Sequence, residues 1–317
     1  MVRLLTDADV RRTLELDALL PVIAEAIRKQ DRGAVERPDR PHFPVGAGDE
    51  PASGTALTMP AYIHGADTYA TKLATVVPDN PDRDLPTVTA QVTLTDATTG
   101  QPVAYMAGNH VTNARTGCIG GLSARALADP PVTVGVVGAG TQARWQTRAI
   151  AAATTVDDVR IYSPSGSKHD CAMDLREEGI AATASETAVE AVRDADVVVT
   201  ATTATEPVIP TDALAPNATV VAVGAYTAEG QELEPATLTG ASDVFADVPA
   251  EAAATGDGRA AGLKGEDMRP LSAALDEQPR DGRRVVLSVG SAVFDAAAAA
   301  HVHDRAVTDG VGRTVEL

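Results

Sequence analysis

The stretch VTVGVVGAG, residues 132–140, runs directly into TQARWQTRAIAAA and constrains the fold more than any other part of the chain. Its apolar, β-branched first half reads as a buried strand, and the Ala-rich run after the glycines reads as a helix. DVRIYS, residues 158–163, reads as a second strand. Strand, glycine turn, helix and strand within about 30 residues make a βαβ unit, whose two strands lie parallel in one sheet. The alternation continues, with SETAVEAVRDA as a helix and DVVVTATTA and ATVVAVGA as strands. RRVVLSVGS is a last strand leading into the Ala-rich helix AVFDAAAAAHVHDRAV. The expected class is α/β, a doubly wound parallel sheet with crossover helices.

Before Pro130-Pro131 the texture is different. Thr6 followed by Asp9 reads as a helix start, with apolar spacing running on through Leu14, Leu20, Ile23 and Ile27. Gly33 to Gly54 is rich in Pro, Gly and Asp and reads as turns and extended pieces. TALTMPAYI, YATKLATVV and TVTAQVTLTD read as strands, the last returning through a hairpin-like turn, ATTGQPVAYM. NARTGCIGGLSARALA reads as a helix beginning near Asn113.

The glycine turn carries chemistry because of where it sits. Gly138 permits a tight turn and Gly140 lets backbone approach a pyrophosphate, while Ala143 takes the third small position, where helix meets strand. Amide groups at the helix start, at Thr141 and Gln142, face such a phosphate group. An acid at the end of the second strand would bind a ribose 2′-hydroxyl and repel a 2′-phosphate. None occurs from Ile161 to Lys168. Ser163, Ser165 and Lys168, with Arg144, are candidates to hold a phosphate there, so NADP(H) is expected in preference to NAD(H). The competing reading of Lys168 is a solvated loop residue.

Composition limits the partners. The formal net charge is -18, and only Lys29, Lys72, Lys168 and Lys264 are lysines. An acid-rich, lysine-poor surface suits a cytosol of very high salt, where repulsion is screened. It also argues against nucleic acid, since no basic stripe occurs. Cys118 and Cys171 are too few for a disulfide framework and sit in no metal-binding spacing. No apolar run approaches the roughly 20 residues of a membrane span, and the Asp7 and Asp9 of the N-terminal stretch do not fit a signal peptide. A cytoplasmic protein without a metal is expected.

Three cations in the first region stand out. Arg40 lies in the loop RPDRPHF, Lys72 inside an apolar strand, and Arg115 at an expected helix start, against the helix dipole. A lysine among apolar strand residues is costly unless paired or functional. Each has a bland reading as a paired or surface charge; together they form a cationic cradle for a carboxylate.

MPAYIHGADTYATKLAT, LPTVTAQVTL, GNHVTNART, VGAGTQAR, VTATTATEPVI, VGAYTAEGQELE and SVGSAVFD, in this order and spacing, resemble the ornithine cyclodeaminase and mu-crystallin family over nearly the whole chain. The resemblance implies a homodimer whose chain has two parts. Residues 1–118 and 291–317 would form an α+β substrate-binding and dimerisation domain, and 119–290 a Rossmann-type domain. It places Arg40, Lys72 and Arg115 on the substrate carboxylate, with Lys72 either carrying a proton or only binding. It places Thr87 and Arg115 beside the nicotinamide, with Thr202 and Ser288 to Gly290 along the cofactor, and puts Asp295 at the opening of the last helix. Two departures separate the chain from true ornithine cyclodeaminases. Leu57 stands where those enzymes bind the distal amine with an acid, and Tyr226 stands where they carry an Asp. The implied chemistry is hydride transfer between nicotinamide and the C–N carbon of a small 2-amino or 2-imino acid, as in amino acid metabolism. Cyclisation of ornithine to proline with recycled NAD is the alternative.

Overall fold

Thr6 stops the first helix from fraying. Its hydroxyl accepts from the Asp9 amide while Asp9 accepts from the Thr6 amide, a reciprocal capping box. The computed structural model describes residues 1–46, 53–225, 227–278 and 280–316. They divide into two units, Met1–Arg115 with Ala292–Leu317, and Thr116–Ser291. Tyr226 lies outside the described residues.

The first unit opens with β1 (Val2–Leu5), α1 (Asp7–Thr13), α2 (Leu16–Asp31), β2 (Val35–Glu36), β3 (His42–Val45) and β4 (Gly54–Ile63). It continues through β5 (Thr68–Val76), β6 (Val88–Asp96) and β7 (Pro102–Ala107). The single expected helix from Thr6 to Ile27 is therefore two. The Thr13 hydroxyl donates to the carbonyls of Asp9 and Val10, competing for the acceptors a continuing helix would use, and Leu14 turns extended. α3 (Asn109–Leu127) then carries the chain into the second unit.

The second unit contains β8 (Val132–Val137), α4 (Thr141–Ala153), β9 (Val156–Tyr162), α5 (Ser167–Glu177), β10 (Ala182–Ala184), α6 (Ala188–Val192) and β11 (Val197–Thr200). β12 (Thr205–Ile209), β13 (Thr219–Ala222), β14 (Gln231–Leu233), α7 (Pro235–Thr239), β15 (Asp243–Ala246), α8 (Pro249–Ala254) and α9 (Gly256–Ala260) follow. β16 (Arg269–Pro270), α10 (Leu271–Asp276) and β17 (Arg284–Leu287) complete it. The chain returns to the first unit as α11 (Ala292–Thr308) and β18 (Arg313–Val315).

The sheet of the first unit has the order β18-β1-β7-β6-β5-β4-β2, with β3 also on β4. α11 packs on β4, β5 and β6, and α2 packs on α11 and β4. Alternation along β5 turns Ala70, Lys72 and Ala74 into this covered side, all buried. The opposite face carries Thr58, Tyr62, Tyr69, Thr71, Leu73, Gln91, Thr93 and Tyr105, which are neighbours by register. No charged residue occurs among those positions.

The sheet of the second unit runs β10-β9-β8-β11-β13-β17-β15-β16, every pair parallel. Its inner strands β11, β13 and β15 are buried at every residue and mostly apolar, as a sheet with both faces covered requires, while β9 nearer the edge carries Asp157, Asp158 and Arg160. The strand order reverses direction on either side of β8, which has β9 on one side and β11 on the other. Gly138 ends β8 at this switch point with φ +116°, and a Cβ there would lie 2.3 Å from the Ala201 carbonyl oxygen. Gly140, the N-cap of α4, has φ −83°, and a Cβ on it meets no atom of the chain within 4 Å. The chain's own packing thus demands glycine at 138 and leaves space at 140. Gly138→Ala should lose at least about 2 kcal/mol of stability in urea unfolding, from strain and collision. Gly140→Ala should stay within about 1 kcal/mol of the parent while losing dinucleotide affinity. A Gly138→Ala protein as stable as the parent would refute this reading of the turn.

Candidate active site

Lys72 is the residue most at odds with its surroundings. In β5 it stands opposite Met59 on one side and Val92 on the other, with 2 % of its surface exposed. An ammonium placed there must find an anion. Asp295, in the first turn of α11, supplies it: Nζ donates to Oδ2 at 2.6 Å. Arg115 donates from Nε to the other oxygen, Oδ1, at 2.9 Å. All three side chains belong to the first unit and all are buried. Burial pushes Asp295 upward, but Arg115 and Lys72 together outweigh it and hold the carboxyl below its ordinary range. Burial lowers Lys72 to about 8; Asp295 opposes the fall, and the charges of Arg115 and Arg40 add to it.

The cations expected to form the cradle are therefore brought together, with one difference. Lys72 and Arg115 already share a carboxylate, that of Asp295. Two cations on one anion leave a net positive charge, and each cation has more N–H donors than its single bond to Asp295 uses. Arg40, half-buried between β2 and β3, acts on Lys72 through its charge. Arg115 is not at a helix start: α3 begins at Asn109, so Arg115 lies in the second turn, clear of the positive helix end. Thr87 lies in the bend before β6, where its carbonyl accepts from the Val77 amide. Leu57 shares the inward face of β4 with Met59, the register partner of Lys72.

In the second unit, Gly138, Gly140, Thr141, Gln142 and Ala143 form the expected strand–turn–helix, with Ala143 fully buried. At the end of β9, Ser163, Ser165 and Ser167 join in a hydroxyl cluster, with oxygen separations of 2.7 to 3.2 Å. Lys168 is not on a solvated loop. It is buried in the first turn of α5, its ammonium donating to the Ser185 carbonyl at 2.9 Å and to Glu186 at 3.4 Å. Arg144 is likewise engaged, by Asp174 and by the Ala139 carbonyl. The seryl hydroxyls, rather than these two cations, are what β9 presents at its end. Thr202 donates its amide to Glu232 at 2.6 Å. Ser288 and Gly290 form a buried turn with Val289 after β17, held by Asp247: Ser288 Oγ and the Gly290 amide donate to Oδ2, and the Val289 amide to Oδ1.

Three acids that do this organising, Asp295, Asp247 and Glu232, were not singled out as partners by the sequence reading. Asp295 had a readable signal, a lone carboxylate between AVF and AAAAA that can only be paired. Glu232 sits between Gln231 and Leu233 and Asp247 between Ala246 and Val248, and only folding shows which donors bury each carboxylate.

A wholly parallel sheet with its order reversing at a glycine turn defines a Rossmann-type nucleotide-binding domain. The chain belongs to the ornithine cyclodeaminase/mu-crystallin family, whose model matches residues 2–310. It is 31% identical over 278 residues to a Delta(1)-pyrroline-2-carboxylate reductase of Bacillus thuringiensis subsp. konkukian, covering 83% of this chain and 85% of that protein. It is 30% identical over 327 residues to an alanine dehydrogenase of Archaeoglobus fulgidus, covering 99% and 98%. The structure of an archaeal alanine dehydrogenase dimer with bound NAD superimposes with a TM-score of 0.90 at 26% identity, covering 100% of this chain and 99% of that one.

Asp295→Asn removes the anion and leaves two buried cations facing each other. Breaking such a pair should cost about 3–5 kcal/mol in urea unfolding. Adding Lys72→Met to that variant should return part of the loss by removing one of the stranded charges. Wild-type stability in Asp295→Asn would show that Asp295 does not neutralise the pair.

Proposed function

We propose that the chain is an NAD(P)H-dependent reductase of small 2-imino acids that also runs in reverse, oxidising the corresponding 2-amino acid. The observation that carries this reading is the buried constellation of Lys72, Arg115 and Asp295, a net positive site in a family of nicotinamide enzymes. The bound nicotinamide supplies the hydride. In the forward direction, hydride and one proton convert C=N to CH–NH, leaving oxidised cofactor. Arg40 and Arg115 hold the substrate carboxylate, a role that suits the planar guanidinium fork. Lys72, protonated below about pH 8, reinforces that grip and can deliver the proton to nitrogen. Asp295 orients both cations. Fixing the carboxylate at two points sets which face of the imine carbon receives the hydride, and such positioning lowers the barrier.

The pyrroline-2-carboxylate reductases and alanine dehydrogenases among the relatives support a cyclic ketimine, or pyruvate with ammonia, as substrate. Ornithine cyclisation is the weaker reading, because Leu57 beside the Lys72 position offers nothing to neutralise a second ammonium. For the cofactor, the hydroxyl cluster of Ser163, Ser165 and Ser167 and the lack of an acid before Lys168 favour NADP(H). From β4 to β7 the outer face of the first sheet carries no charged side chain, charges entering only at its edges with Glu36 beside Tyr62 and Arg313 beside Leu4, and this uncharged centre supports a homodimer. The acidic composition supports a salt-rich cytoplasm as its setting.

Incubated in concentrated KCl with a cyclic 2-imino acid, the protein should oxidise NADPH with a lower KM than NADH. Formation of proline from ornithine without net cofactor turnover would overturn the reaction class, and a clear preference for NADH would overturn the cofactor assignment. Reductive kcat/KM should fall as pH rises through about 8, because Lys72 then loses its charge and its proton. The Lys72→Met variant should lose turnover altogether; full activity would remove Lys72 from the site. Sedimentation equilibrium should give twice the chain mass, and a monomer would reject the dimer.

A further inference from the structure

Glu232 is the middle residue of β14, with none of its surface exposed. Burying a carboxylate is expensive unless donors replace its water. Three do so here. The Thr202 amide donates to Oε1 at 2.6 Å; the Gly224 amide and the Thr200 hydroxyl donate to Oε2 at 2.7 and 2.9 Å. Thr200 ends β11 and Thr202 lies just beyond it, and Gly224 lies just beyond β13. The parallel ladder itself continues only as far as the Ala201 amide, bonded to Val137, and the Val223 amide, bonded to Thr200. Thr202 and Gly224 are thus the first amides past the ladder, and one carboxylate collects both.

The position of this clamp is the informative part. It sits at the carboxyl edge of the sheet, on the same edge as Gly138, and doubly wound sheets bind ligands outside that edge. The segments it gathers are in tight contact. A Cβ on Gly224 would lie 2.2 Å from the Thr202 carbonyl oxygen, and Gly138 lies against the Ala201 carbonyl. Glu232 is itself held from behind by Asp257, whose Oδ1 accepts the amides of Glu232 and Leu233, both at 2.8 Å. Burial pushes both carboxyls upward, Asp257 to about 6.

We propose that Glu232 is a positioning residue for the nicotinamide half of the bound dinucleotide, setting the spacing of the Thr202 and Gly224 segments that border it. The proposal rests on the reductase reading above. Glu232 touches neither substrate nor cofactor; it acts through the two segments. The adenosine half belongs to the other side of the switch point, at the end of β9, where Glu232 makes no contact that would matter.

The test separates the two halves of the ligand. Binding of NADPH and NADH, and of 2′,5′-ADP and 5′-AMP as adenosine-half probes, is measured by calorimetry on the purified wild-type protein, on Glu232→Gln and on Thr200→Val. The Gln side chain keeps the volume but turns an amide donor toward one of the donors Glu232 now accepts from. Dinucleotide affinity should fall about tenfold or more in Glu232→Gln and by a smaller factor in Thr200→Val, with adenosine-half affinity unchanged within about threefold. Hydrogen exchange at the Thr202 and Gly224 amides should quicken in Glu232→Gln without any ligand. Thr200→Val, which removes one donor of three, decides by the same criterion if Glu232→Gln does not fold. Unchanged dinucleotide affinity, or an equal loss for both kinds of probe, overturns the inference. A wild-type protein that binds neither dinucleotide instead overturns the reductase reading, and the inference with it.

Discussion

The first unit is organised around one buried carboxylate. Asp295 accepts from Lys72 with one oxygen and from Arg115 with the other, tying together β5, α3 and α11. None of the three charges would be tolerable there alone, since each would be taken out of water without compensation. Together they fix where α11 sits on the sheet. They also keep an excess of positive charge at a site with few alternatives for it, in a chain of net charge -18. The local charge there is opposite in sign to that of the protein as a whole.

The second unit solves a related problem with backbone instead of charge. A parallel sheet ends in loops whose amides have outrun their ladder partners. At the glycine turn those amides begin α4. After β11 and β13 they are collected by Glu232, and after β17 by Asp247. Each acid accepts from two backbone amides and from a hydroxyl, and each anchors backbone at the edge where such sheets bind ligands. Rigid loops of this kind keep a ligand's reacting end from drifting, at the cost of burying two carboxylates.

Local pattern carried a good part of this. β8, the glycine turn and α4 were legible because a β-branched run, two glycines and an Ala-rich helix each have one strong conformational preference. Lys72 was legible as an anomaly, a cation in a strand of Ala, Thr, Leu and Val. The short elements between Ser167 and Gly290 were mostly missed, because five-residue helices and three-residue strands show too few turns or alternations for periodicity to register. Lys168 does not lie on a solvated loop: α5 buries it and its ammonium reaches Ser185 and Glu186, partners from 17 and 18 residues away that local pattern does not report. The break at Leu14 was hidden because Thr13 competes for carbonyls through a side-chain bond that apolar spacing does not report.

The amino-acid order alone determined the βαβ unit, the class of sheet and the glycine turn between β8 and α4, because those follow from residues near one another in the chain. Partnership across the chain was decided only by folding. Asp295 meets Lys72 from 223 residues away and Arg115 from 180. Which acid neutralises which base depends on where strands and helices come to rest, and neither residue's neighbours encode that distance.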